Sequence, residues 1–150
     1  MVENMIRGRL ARLPGAAVAE LVARVAAADV DDCLRMLVIS AIDVTDANAD
    51  AVVREALTQW REQGRVSPTT RSQLAAALTR SDIDAAVAHR SGDIATQRAA
   101  FVRARAVHAL SIAVDPDVDA AARLAEAAYE AAIAMGGTAG VVAVLVEFVV

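Results

Sequence analysis

Arg105 and His108 stand three residues apart in "QRAAFVRARAVHALSIAV", one helical turn on the same face as Phe101 and Ile112. A guanidinium and an imidazole side by side can hold an anion or a partner's carboxylate. With Tyr129 from "EAAYEAA" they make the candidate ligand-binding set: Arg105, His108 and Tyr129. His89 is the only other histidine; beside Arg90 near a helix end, its expected role is to satisfy terminal carbonyls. Neither histidine has a second His or Cys at ligand spacing, which argues against zinc.

"DPDVDAAARLAE" places Asp115, Asp117, Asp119 and Glu126 at positions 1, 3, 5 and 12 of a calcium-loop pattern. The resemblance to an EF-hand stops at those four residues. Ala120 stands where the loop needs glycine, Arg123 where a water-bridging ligand is usual, and Pro116 reads as the first residue of a helix. Asp46, Asn48 and Asp50 repeat the spacing without the glycine or the closing acid, and read as helix capping. No metal is expected. Cys33, the single cysteine, lies among apolar residues and reads as a small buried hydrophobe, with Asp31 and Asp32 raising its pKa. A phosphate-binding glycine loop, a Ser–His–Asp ordering, a CxxC pair and HExxH are all missing from the sequence. No catalytic residue and no cofactor are therefore assigned, and the reading leans away from an enzyme.

Arg98, Arg103 and Arg105 give their helix a positive character, and residues 67–90 have the form of a short helix–turn–helix. The second helix of that pair, "SDIDAAVAHR", begins with acids where phosphate would be met, and the net charge is −4. Both features argue against nucleic acid. All fifteen basic residues are arginine, and the Ala, Arg, Val, Asp and Gly usage points to a GC-rich bacterial genome. The hydrophobic fraction is 57% with only 3% aromatic residues, so the core must be built from Ala, Val, Leu and Ile. The beginning of the chain lacks the apolar stretch of a signal peptide, so the expected location is the cytoplasm.

The elements that position these residues are punctuated clearly. A short amphipathic helix is predicted over 2–13, ended by Pro14 and Gly15. A helix over "AAVAELVARVAAA" follows, then one starting at Asp29 with Asp32 as its capping acid. Thr45 or Asp46 caps the next, which Gly64 ends. Ser67 with Pro68 opens another, and Ser81 with Asp84 repeats the signal to open one more that stops near Gly92. Asp93 opens the long helix that carries Arg105 and His108. Asp115 with Pro116 opens the one that carries Tyr129, and Gly136–Gly137 end it. The result is one all-α domain over 1–150, a bundle of eight or nine short helices, with a HEAT-like stack of helical hairpins as the alternative.

The chain finishes on "TAGVVAVLVEFVV", where only Glu147 is charged. Gly136–Gly137 cut this segment from the helix before it, and what remains is too short to span a bilayer, so a membrane is not expected. A helix apolar all round is buried, either in the core or half in an interface. A terminal strand would need a partner strand from another chain. The expected function is a non-catalytic protein–protein interaction module: an immunity- or antitoxin-like partner, an adaptor or an assembly subunit. It would bind a protein partner or a second copy of itself through the C-terminal helix. The candidate partner-binding residues are Trp60, Arg61, Val142, Leu145, Val146, Phe148 and Val149. The alternative is a small enzyme or ligand-binding helical domain with a pocket near His108, Arg105 and Tyr129.

Overall fold

The computed structural model describes residues 17–149. These fold into seven α-helices and two short 3₁₀ turns, and no strand occurs among them. The helix expected over 2–13 lies outside the described residues. In chain order the helices are α1 (Ala17–Arg24), α2 (Val30–Thr45), α3 (Ala51–Gln63), α4 (Pro68–Arg90), α5 (Ile94–Ala113), α6 (Ala120–Ala134) and α7 (Ala139–Leu145).

Helix ends follow local chemistry where a cap is well formed. Asp50 accepts the Val52 N–H at 2.8 Å, Asp93 the Thr96 N–H at 3.1 Å, and Asp119 the Ala122 N–H at 3.0 Å. Ser67 caps α4 by accepting from Thr70 N–H, with Pro68 in the first turn. Gln59 on α3 then fixes the α3–α4 corner: its carbonyl oxygen accepts the Ser67 N–H and its amide donates to Thr70 Oγ1, both at 2.9 Å. Gly64 ends α3 at φ 70°, a conformation that costs glycine nothing and a side chain roughly 1–2 kcal/mol.

Three predicted boundaries are corrected. Ser81 starts no helix, because α4 runs unbroken from Pro68 to Arg90. Leu74, Ala77, Ser81, Ala85 and Ala88 make one continuous stripe against α5, and packing along it outweighs a local capping signal. Asp115 does not cap α6; it closes a small turn by accepting the Asp117 N–H at 2.9 Å, and the helix begins after Asp119. Asp46 sits at φ 59° as the C-terminal cap of α2 rather than the start of α3, and Asp29 caps α2 without a side-chain hydrogen bond.

The core is assembled on α2, α5 and α6. The inner face of α2 buries Cys33, Leu34, Leu37, Val38, Ala41 and Ile42, and packs across both α5 and α6. Alanine at positions 106, 109 and 113 of α5 and 127, 128 and 131 of α6 is buried, which lets these two backbones approach closely. α4 packs along α5 on another side, α3 leans on α4, and α1 and α7 close the bundle against α2 and α6. The α4–α5 hairpin outreaches the rest: Ala88 and Ala100 are buried near its end but lie outside the main core cluster.

The terminal segment is helical over Ala139–Leu145, not a strand. Val141, Val144 and Leu145 are buried, and Val142 and Phe148 pack partly against the core. Three such side chains at about 1.5–3 kcal/mol each are a large fraction of a domain's stability. The oily ending is therefore mostly core. No helix among the described residues is long and apolar enough to cross a membrane.

Candidate functional site

Arg105 and His108 do come together, around an acid that the sequence did not single out. Glu130 on α6 is 2% exposed, yet it carries a carboxylate. Arg105 Nη1 lies 3.3 Å from its Oε2, and His108 Nδ1 lies 3.2 Å from its Oε1. The other terminal nitrogen of Arg105, Nη2, reaches Asp82 Oδ1 on α4 at 3.3 Å. One guanidinium thus ties α4, α5 and α6 together, with the Phe101 ring 5.7 Å from its central carbon. The Arg–His pair could hold an anion or a partner's carboxylate, with a partly buried structural histidine as the default reading. The chain supplies that anion itself, and a buried charge of this kind needs both partners.

A signal for Glu130 was present in the topology rather than in the local sequence. α5 and α6 are antiparallel through the short turn between Val114 and Asp119, which sets residues at similar distances from the turn opposite one another. Arg105 and Glu130 satisfy that condition. Tyr129, the third residue of the candidate set, is half-buried against the core cluster. Three shallow clefts among the described residues are lined by other side chains, and none of the three gathers His108, Arg105 and Tyr129.

The predicted partner-binding residues divide in two. Trp60 and Leu145 are buried, Trp60 beneath the Arg35 guanidinium at 5.7 Å and Leu145 with no exposed area. Arg61 is exposed beside Glu62, with its Nη2 3.9 Å from Oε1. Val142, Phe148 and Val149 are half-buried, and Val146 is exposed.

The larger exposed apolar surface is elsewhere. Ile83 and Val87 on α4, and Ile94 and Phe101 on α5, are between 45% and 67% exposed near the end of the hairpin. Ile94, Gln97, Arg98 and Phe101 line one of the shallow clefts. α5 carries three arginines and a histidine but no acid. Across the hairpin, His89 Nδ1 lies 3.3 Å from Gln97 Oε1. Sequence periodicity missed these positions because α4 and α5 scatter apolar, alanine and charged residues around the whole circumference, so no face stands out.

The remaining candidates have local roles. The carboxylates of Asp115 and Asp119 accept backbone N–H groups, and no cluster of three or more potential metal ligands occurs among the described residues. Asp50 caps α3 and lies 3.6 Å from Arg80 Nη2. Cys33 is fully buried, and its thiol is pushed up to about 11, first by burial and then by the nearby charge of Asp29 rather than Asp31 or Asp32. With α4 continuous, the helix–turn–helix of residues 67–90 does not exist. Compared with protein-family models, with curated proteins and with solved structures, the chain matches none of them.

Proposed function

We propose that this protein is a non-catalytic helical module that binds another protein chain through the projecting end of its α4–α5 hairpin. One observation carries the reading: four large apolar side chains, Ile83, Val87, Ile94 and Phe101, are exposed along a hairpin whose outer buried residues, Ala88 and Ala100, lie outside the main core cluster. Single exposed apolar residues are ordinary, but several gathered on one projecting element mark a contact surface. The stem is built to keep that element in place. Arg105 anchors it to α6 through Glu130, and Asp82 closes the link from α4.

The ligand-binding reading is weaker because the Arg105–His108 pair is occupied by Glu130 and no described cleft gathers on it. The proposal extends the contact surface predicted from sequence, since Val146 and Arg61 remain exposed while the buried part of α7 is used within the chain. The test is native-extract sizing of the wild-type chain and of Ile94→Asp/Phe101→Asp. The wild type should run in an assembly larger than one chain, and the double variant should run as a folded monomer. A wild-type chain at monomer size, or a variant with unchanged assembly, would remove the proposal.

A further inference from the structure

Two helices present stripes with the same spacing and opposite charge. On α5 the residues at i, i+4 and i+7 are Ile94, Arg98 and Phe101. Ile94 is 67% and Phe101 45% exposed, and Arg98 is exposed with no ion pair to a described residue. On α2 the residues at i, i+4, i+7 and i+11 are Asp32, Met36, Ile39 and Asp43. Met36 is 41% and Ile39 44% exposed, and both acids are exposed, again with no ion pair to a described residue. Each set therefore lies along one side of its helix, apolar at two positions. One is flanked by acids and the other carries a base.

These stripes cannot meet inside one molecule. α2 and α5 already pack against each other through their buried sides, which leaves both stripes facing solvent. Between molecules they match in repeat, in hydrophobic content and in sign. We propose that a second copy of this chain is the occupant: the acidic stripe of α2 on one copy docks on the Ile94–Arg98–Phe101 stripe of α5 on the next. The contact is heterologous, because the two surfaces differ, so a docked pair keeps one free face of each kind, one on each copy, and assembly can continue head to tail. Apolar contact supplies the attraction, and the charges select the pairing and orient it. This inference rests on the interaction reading above and names the partner for it.

Sedimentation velocity on the purified full-length chain, over a wide concentration range, tests the idea. The wild-type mass should rise with concentration beyond that of a dimer. Arg98→Glu alone and Asp32→Arg/Asp43→Arg alone should each stay monomeric and folded, with helical content retained because all three positions are exposed. Mixed together, the two variants should assemble again, since the acidic α2 stripe of one meets Arg98 of the other and the two charge-reversed stripes match each other as well. A wild type that remains monomeric, single variants that assemble like wild type, or a mixture that stays monomeric would overturn the inference. Should the purified chain be monomeric while the extract still holds it in a larger assembly, the occupant is a different protein. Self-pairing then falls and the interaction reading stands.

Discussion

Arg105 is the residue on which most of the arrangement converges. It shields the carboxylate of Glu130, which is 2% exposed, and reaches Asp82 across the hairpin. Removing Arg105 takes the guanidinium away from a buried carboxylate, and a buried charge that loses its oppositely charged partner is strongly destabilised. Arg105→Ala should therefore cost about 3 kcal/mol in urea unfolding, whereas Arg98→Ala on the same helix, exposed and with no ion pair to a described residue, should cost less than about 0.5 kcal/mol. Equal effects would show that Glu130 does not depend on Arg105. Cys33 gives a second prediction at this scale. Its thiol is held neutral by burial to about 11, above its ordinary value of 9.0. The unfolded thiol ionises first, so the contribution of this group to stability is complete below pH 9 and is lost as pH rises through 11. A thiol reagent at neutral pH should leave the folded chain unmodified and label it fully in denaturant; rapid labelling of the native chain would contradict the burial.

Helices are the scale at which sequence and structure part company. The Ser67–Pro68 start, the Asp93 start and the Gly64 stop were legible because each rests on its own side chain or backbone freedom. Ser81 and Asp115 carried equally good signals and failed. A serine is tolerated inside a helix when the neighbouring stripe packs, and an aspartate can serve a turn as readily as a cap. Glu130 was illegible for another reason: its partners come from α5, and only the antiparallel pairing of two helices brings them near. Gly64 offers a clean check, because a Cβ there meets nothing closer than Arg35 Nη2 at 3.8 Å. Gly64→Ala should cost roughly 1–2 kcal/mol from backbone strain alone. The terminal helix separates core from surface in the same way. Leu145→Ala should cost about 2–5 kcal/mol, while Val146→Ala, at a position 48% exposed, should be nearly neutral in thermal unfolding. Comparable losses at both positions would mean that the segment packs differently.

At the scale of the whole molecule, an alanine-rich bundle has placed its few large side chains unevenly. Leucine and valine fill the interior around α2, α5 and α6, and the long hairpin carries Ile83, Val87, Ile94 and Phe101 into solvent. A chain with net charge −4 nonetheless keeps α5 free of acids, so the Ile94–Phe101 side of the hairpin carries a base, Arg98, while Asp82 and Asp84 flank Ile83 on α4. The Ile94–Phe101 side suits an acidic, apolar protein surface. The most direct measurement puts a photoreactive benzoylphenylalanine at position 101 in the native host, with the same group at Gln73, an exposed polar site on α4, as control. Irradiation should convert the position-101 chain into a discrete cross-linked protein band and leave the position-73 chain unchanged. Recovery of uncross-linked chain from both positions would contradict a contact surface on the hairpin.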